Sequence, residues 1–113
     1  MNFSEGEYSY KDRVWKASTL CLFAQERGYP TFDLPLAGID LSVEAFDASN
    51  LKEFIFQCKR VNECSLDYPI ILDERGIIAD GYHRVCKAIL EGRETIKAIR
   101  LEEMPAAYII KEG

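Results

Sequence analysis

The sequence holds a single histidine in 113 residues, at position 83, and none of its four cysteines is spaced as C-x-x-C. Zinc sites take Cys and His ligands at short fixed intervals, so Cys21, Cys58, Cys64 and Cys86 do not read as a metal set. Three of them fall in segments of helical periodicity, where a free thiol is expected to behave as a small buried hydrophobe. An excess of positive charge is also missing. The formal net charge is -5, whereas affinity for nucleic acid comes largely from Lys and Arg neutralising phosphates, so DNA is not an expected partner. No apolar run is long enough to span a bilayer, and no basic segment followed by an apolar stretch opens the chain; the expectation is a cytoplasmic protein with reduced thiols and no membrane contact. Repeats, low-complexity tracts and linker-like stretches are absent. What is present, 48% hydrophobic and 29% charged residues with only four prolines, is the composition of a folded protein. The length predicts one domain over residues 1–113, with residues 1–8, polar and without pattern, as a disordered terminus.

Along the chain, Ser9-Tyr10-Lys11-Asp12 resembles a capping box and predicts a helix running to Arg27 and stopping at Gly28. Val14, Ala17, Cys21 and Ala24 form its apolar stripe, with Trp15 beside it as a core residue or a stacking platform. Phe32 to Ile39, interrupted by Pro35, predicts a short edge strand. Asp40 to Asp47 reads as a loop with a turn of helix, whose carboxylates Asp40, Glu44 and Asp47 are either solvated or available to a metal or a proton. Asn50-Leu51-Lys52-Glu53 is a second capping-box pattern. The spacing of Leu51, Phe54, Ile55, Cys58 and Val61 then predicts a helix with one apolar face. Pro69 to Leu72 and Ile77 to Ala79 predict a hairpin closed by Asp73-Glu74-Arg75-Gly76, with Gly76 left-handed. A helix from Gly81 to Glu91, stopped by Gly92, leads to the alternating strand Thr95 to Leu101, and the tail through Ile109 and Ile110 covers the sheet or adds a last short strand. The fold class expected is mixed α+β. If the strands flanking the helix lie parallel in one sheet, the crossover is right-handed and the Asp80-Gly81 turn lies where open α/β sheets bind ligands.

That turn, Ala79-Asp80-Gly81-Tyr82-His83-Arg84, is electrostatically unusual. A helix N-terminus carries partial positive charge and favours acidic residues in its first turn, yet His83 and Arg84 occupy it while Glu91 and Glu94 sit near the far end. An anion at the helix mouth, most often a phosphate, would make the arrangement favourable. Gly81 lets a ligand approach the backbone and Arg84 can offer a two-pronged contact to phosphate oxygens. The alternatives are a packed or capping His83 and an ion pair of Arg84 with Asp80 or Glu53. Asp80 reads as an N-cap, as a Mg²⁺ ligand or as a catalytic base, and Tyr82 as a stacking or a shielding residue.

Pro69-Ile70-Ile71-Leu72-Asp73, Gly76 through Arg84, Lys87-Ala88, Gly92, Ile96 and Ala98-Ile99-Arg100-Leu101 resemble the ParB/sulfiredoxin superfamily. They are most similar to its small stand-alone ParB-like members, with their D-G-x-H-R turn. The resemblance implies a small mixed sheet flanked by helices and a nucleotide or phosphate, such as ATP or CTP with Mg²⁺, held at Gly81, Tyr82, His83 and Arg84. Tyr82 stands where sulfiredoxin has its nucleophilic cysteine, so sulfinic acid repair by that route is not expected. No segment matches the DNA-binding and dimerisation parts of partition ParB proteins, so chromosome partition is not expected of this polypeptide alone.

Two classes of function follow. The first is a nucleotide- or phosphate-binding domain whose ligand is a nucleotide or a phosphorylated small molecule, with NTPase or small-molecule kinase activity left open and Asp80 as the catalytic candidate. The second is a non-enzymatic interaction or regulatory module that keeps the fold and binds a protein partner. A ParB-like nuclease is a third reading, but no cluster of carboxylates at firm spacing supports it.

Overall fold

A hairpin stands where the Ser9 pattern predicts the start of a helix. In the computed structural model, which describes residues 6–110, strand Glu7–Tyr10 (β1) turns through Lys11 and Asp12 into strand Arg13–Lys16 (β2), pairing Tyr8 with Trp15 and Tyr10 with Arg13. Lys11 adopts the positive φ of 56° that tight hairpin turns require. The helix begins only at Ala17 and ends at Arg27 (α1), closed by Gly28 in the left-handed region. Glu7 and Tyr8, expected in a disordered terminus, are therefore strand residues, while residues 1–5 of that terminus lie outside the described residues. The helical stripe misleads because Val14 and Trp15 are both buried, one on each side of a strand, and both faces of a strand read as a continuous apolar run.

The remaining elements follow as strand Phe32–Pro35 (β3), a 3-10 turn Leu36–Gly38, helix Leu51–Glu63 (α2), strands Ile70–Leu72 (β4) and Ile78–Asp80 (β5), helix Tyr82–Leu90 (α3), and strands Thr95–Arg100 (β6) and Ile109–Ile110 (β7). The strands form two sheets, ordered β1-β2-β7 and β3-β6-β4-β5, so the fold is mixed α+β. β3 is an edge strand, consistent with Pro35, and β6 neighbours β4 and not β5, so β5 and β6 are not adjacent in the strand order. The Asp40–Asp47 segment carries no turn of helix.

By their contacts the described residues divide into two compact units, 6–31 with 71–80 and 99–110, and 32–70 with 81–98. In the first, Trp15, Leu20, Ala24, Ile71, Ile99 and Leu101 form the core, and the β4–β5 hairpin turns at Gly76, whose φ is 86°. Leu101 N–H donates to Leu72 O at 3.0 Å, and β7 closes the N-terminal sheet by pairing with β2. Each fully buried Leu or Ile here contributes about 1.5–3 kcal/mol.

In the second unit, β3 pairs antiparallel with the Thr95–Ala98 part of β6, and Val61, Ile70, Val85, Ala88 and Ile96 are buried. Asn50 caps α2 by accepting from Glu53 N–H at 2.9 Å, while its own amide donates to the Glu53 carboxylate at 3.0 Å. Lys87 reaches from α3 to the other end of α2 and donates to the carbonyls of Asn62 and Cys64, at 3.0 and 2.6 Å. Of the apolar face of α2 only Val61 is core. Leu51, Phe54 and Ile55 are 72, 54 and 58% exposed, and Cys58, expected as a buried hydrophobe, is exposed as well.

Candidate functional site

Gly81 joins β5 to α3 at φ 116°, a backbone conformation that side chains avoid. A Cβ there would lie 2.4 Å from Cγ2 of the buried Ile70, so both conformation and space exclude anything but glycine. Gly81, not Asp80, is the N-cap residue of α3, and no acidic side chain lies in the first turn. Asp80 is the last residue of β5, in register with Ile71. Tyr82, His83 and Arg84 follow at half-buried positions, and the backbone N–H groups of this turn precede the first intrahelical bond, Val85 N–H to Gly81 O at 3.1 Å.

The three side chains differ in what they can offer. Arg84 donates through Nη1 to the Pro69 carbonyl at 3.2 Å, with its guanidinium 6.0 Å from the Tyr68 ring centroid. Burial, helped by the negative charge of Asp40, pushes the Tyr82 phenol pKa up, so this hydroxyl stays protonated. His83 stacks on Phe46, with ring centroids 4.2 Å apart, and its Nε2 lies 2.7 Å from Gln57 Oε1. Gln57 Nε2 donates to the Asp47 carbonyl at 3.3 Å, which turns its oxygen toward His83 and places the imidazole proton on Nε2. Burial first, then the charges of Arg60 and Arg84, lower the His83 pKa to about 4. At neutral pH the ring is uncharged, its donor faces Gln57 and Nδ1 is an acceptor. His83 can therefore meet an anion through its backbone N–H, and Arg84 supplies the positive charge.

A second constellation lies in the other unit, on residues read from the sequence as terminus and turn. Asp73, 2% exposed, is the one buried charged side chain among the described residues. Its Oδ1 accepts from the backbone N–H groups of Arg75 and Ile77, at 2.8 and 2.9 Å. Its Oδ2 accepts the Tyr8 hydroxyl at 2.5 Å and Arg75 Nη2 at 2.8 Å. Arg75 Nη2 also donates to the Tyr8 hydroxyl oxygen at 2.9 Å. Burial alone would raise the Asp73 pKa, but the bonds from Tyr8, Ile77 and Arg75 outweigh it and hold the carboxyl below its ordinary value. Burial and the Asp73 bond push Tyr8 up to about 12. The Asp73-to-Gly76 turn signals part of this in sequence, since an Asp opening a turn commonly binds backbone N–H groups ahead of it. Nothing in the sequence marks Tyr8 as its partner 65 residues away.

Among the described residues no three His, Cys, Asp or Glu side chains group so as to hold a metal ion, and no helix is long and apolar enough to cross a membrane. No family model, curated protein or solved structure matches the chain.

Proposed function

We propose that the Gly81–Arg84 turn binds the phosphate of a nucleotide or of a phosphorylated small molecule. The observation that carries this reading is Gly81 itself, held at φ 116° against Ile70 at the mouth of a helix with no acid in its first turn. Such a position brings backbone N–H groups close to a ligand at the positive end of a helix whose first turn holds no acidic side chain. Backbone N–H groups of Tyr82, His83 and Arg84 and the Arg84 guanidinium are the contacts, and Mg²⁺ enters as the companion of the phosphates. The resemblance of residues 69–101 to small stand-alone ParB-like proteins, with their D-G-x-H-R turn, supports the same reading. Catalysis, as an NTPase or a kinase with Asp80 as base, is a further step that this geometry does not require. The test is a thermal shift series with ATP, CTP and GTP plus Mg²⁺. At least one should raise the melting temperature, and Arg84→Ala should abolish the rise; no shift with any of them, or an undiminished one in the variant, overturns the proposal.

A protein-binding module is the second reading, favoured by the exposed Leu51, Phe54 and Ile55 face of α2. Loss of all nucleotide response, together with a partner whose binding is lost in Phe54→Glu, would put it first.

A further inference from the structure

Beside the Asp73 constellation lies a cavity of about 210 Å³. Tyr8, Tyr10 and Trp15 supply aromatic walls and Met104 an apolar patch, while Lys11, Arg13 and Arg75 bring positive charge to it. A cavity of roughly 150 Å³ holds benzene, so this one has the size for a single ring with one small substituent.

The polar side of the cavity is unusually well fixed. Asp73 and Tyr8 engage Arg75 through Nε and Nη2 and lock the guanidinium in place, 3.5 Å above the Tyr10 ring centroid. Among the described residues this leaves the Nη1 edge of Arg75 for a ligand. Lys11 adds a second cation to the same ring, its Nζ 5.4 Å from the centroid. Lys11 does so from a backbone at φ 56°, where a lysine costs stability that glycine would not. The carboxylates around the cavity are less available to a ligand's cation: Asp73 is fully bonded, Asp12 lies 3.9 Å from Arg13, and only Glu74 at the rim has no ion pair among the described residues. A ligand cation would meet two like charges at Tyr10, whereas a carboxylate would meet Lys11 Nζ and Arg75 Nη1.

We infer that this cavity is a binding site for a small planar aromatic carboxylate, its ring against Tyr8, Tyr10 and Trp15 and its anionic group on Lys11 and Arg75. The site is independent of the phosphate reading of the Gly81 turn.

Trp15 is the only tryptophan of the chain and lines the cavity, so its emission reports occupancy directly. The experiment titrates the full chain with benzoate, benzyl alcohol and benzylammonium. Benzoate should give a saturable change in Trp15 emission, with affinity at least about tenfold above benzylammonium, as a charge-assisted contact implies. Lys11→Gly should weaken benzoate binding while raising the melting temperature, because it removes the cation and the backbone strain together. Arg75→Gln should lose benzoate with or without Lys11. An unsaturable response to benzoate, equal binding of the cation, or undiminished benzoate affinity in Lys11→Gly each overturns the inference.

Discussion

His83 Nε2 lies 2.7 Å from Gln57 Oε1, and because Gln57 is itself oriented by the Asp47 carbonyl, the chain's one imidazole is held as a single neutral tautomer. The residue that gives the turn its sequence signature thus supplies no charge to it at neutral pH.

That state predicts a specific titration. The imidazole resonances of the single histidine should titrate near pH 4, against an ordinary value of 6.5. Since the folded pKa is the lower one, the unfolded chain takes up the extra proton first. Stability is therefore full above pH 6.5 and falls as the pH is lowered toward about 4. His83→Phe should remove this part of the pH dependence, measured as urea midpoints across the window. A resonance titrating near its ordinary value would refute the buried, Gln57-bound arrangement.

Replacing Gly81 tests the turn without touching any charge. Gly81→Ala places a methyl 2.4 Å from Ile70 Cγ2 at a φ of 116°. Relief requires a shift of a fully buried residue of β4, and the expected loss is about 1–3 kcal/mol in denaturant unfolding. Wild-type stability in this variant would show that the backbone of the turn is not held as described.

The Tyr8–Asp73 pair makes predictions at both ends of the pH scale. One of the six tyrosines should ionise near pH 12 in a spectrophotometric titration and should be missing in Tyr8→Phe. A phenol whose folded pKa is raised stabilises fully below its ordinary 10 and loses that contribution as pH rises through about 12. Asp73 acts in the opposite sense, with its contribution lost as pH falls below the ordinary 3.8. Tyr8→Phe at neutral pH should cost about 1–2 kcal/mol by leaving donors to Asp73 incomplete.

Local signals carried much of the architecture. The Asn50 cap, the start and stop of α3 at Gly81 and Gly92 and the left-handed Gly76 rest on interactions within a few residues, and each stands where the pattern puts it. The alternation of β6 holds from Thr95 to Ala98 and breaks at Ile99, which is buried beside Ala98. The exposure of Leu51, Phe54 and Ile55 shows the limit of such signals. Helical spacing establishes that these residues share a face, but not that another element packs on it.

The α+β class, the hairpin at Gly76 and the Gly81 turn are legible in local sequence, because capping, turn conformation and periodicity act over one or two turns of chain. Long-range packing set the rest. It closed the N-terminal sheet by pairing Arg13 and Val14 with Ile110 and Ile109, and it buried Asp73 under a tyrosine from the N-terminal hairpin. It also gave His83 a partner on another helix that fixes its tautomer. Each of these depends on contacts between residues far apart in the chain, whose desolvation and geometry have no counterpart in local spacing.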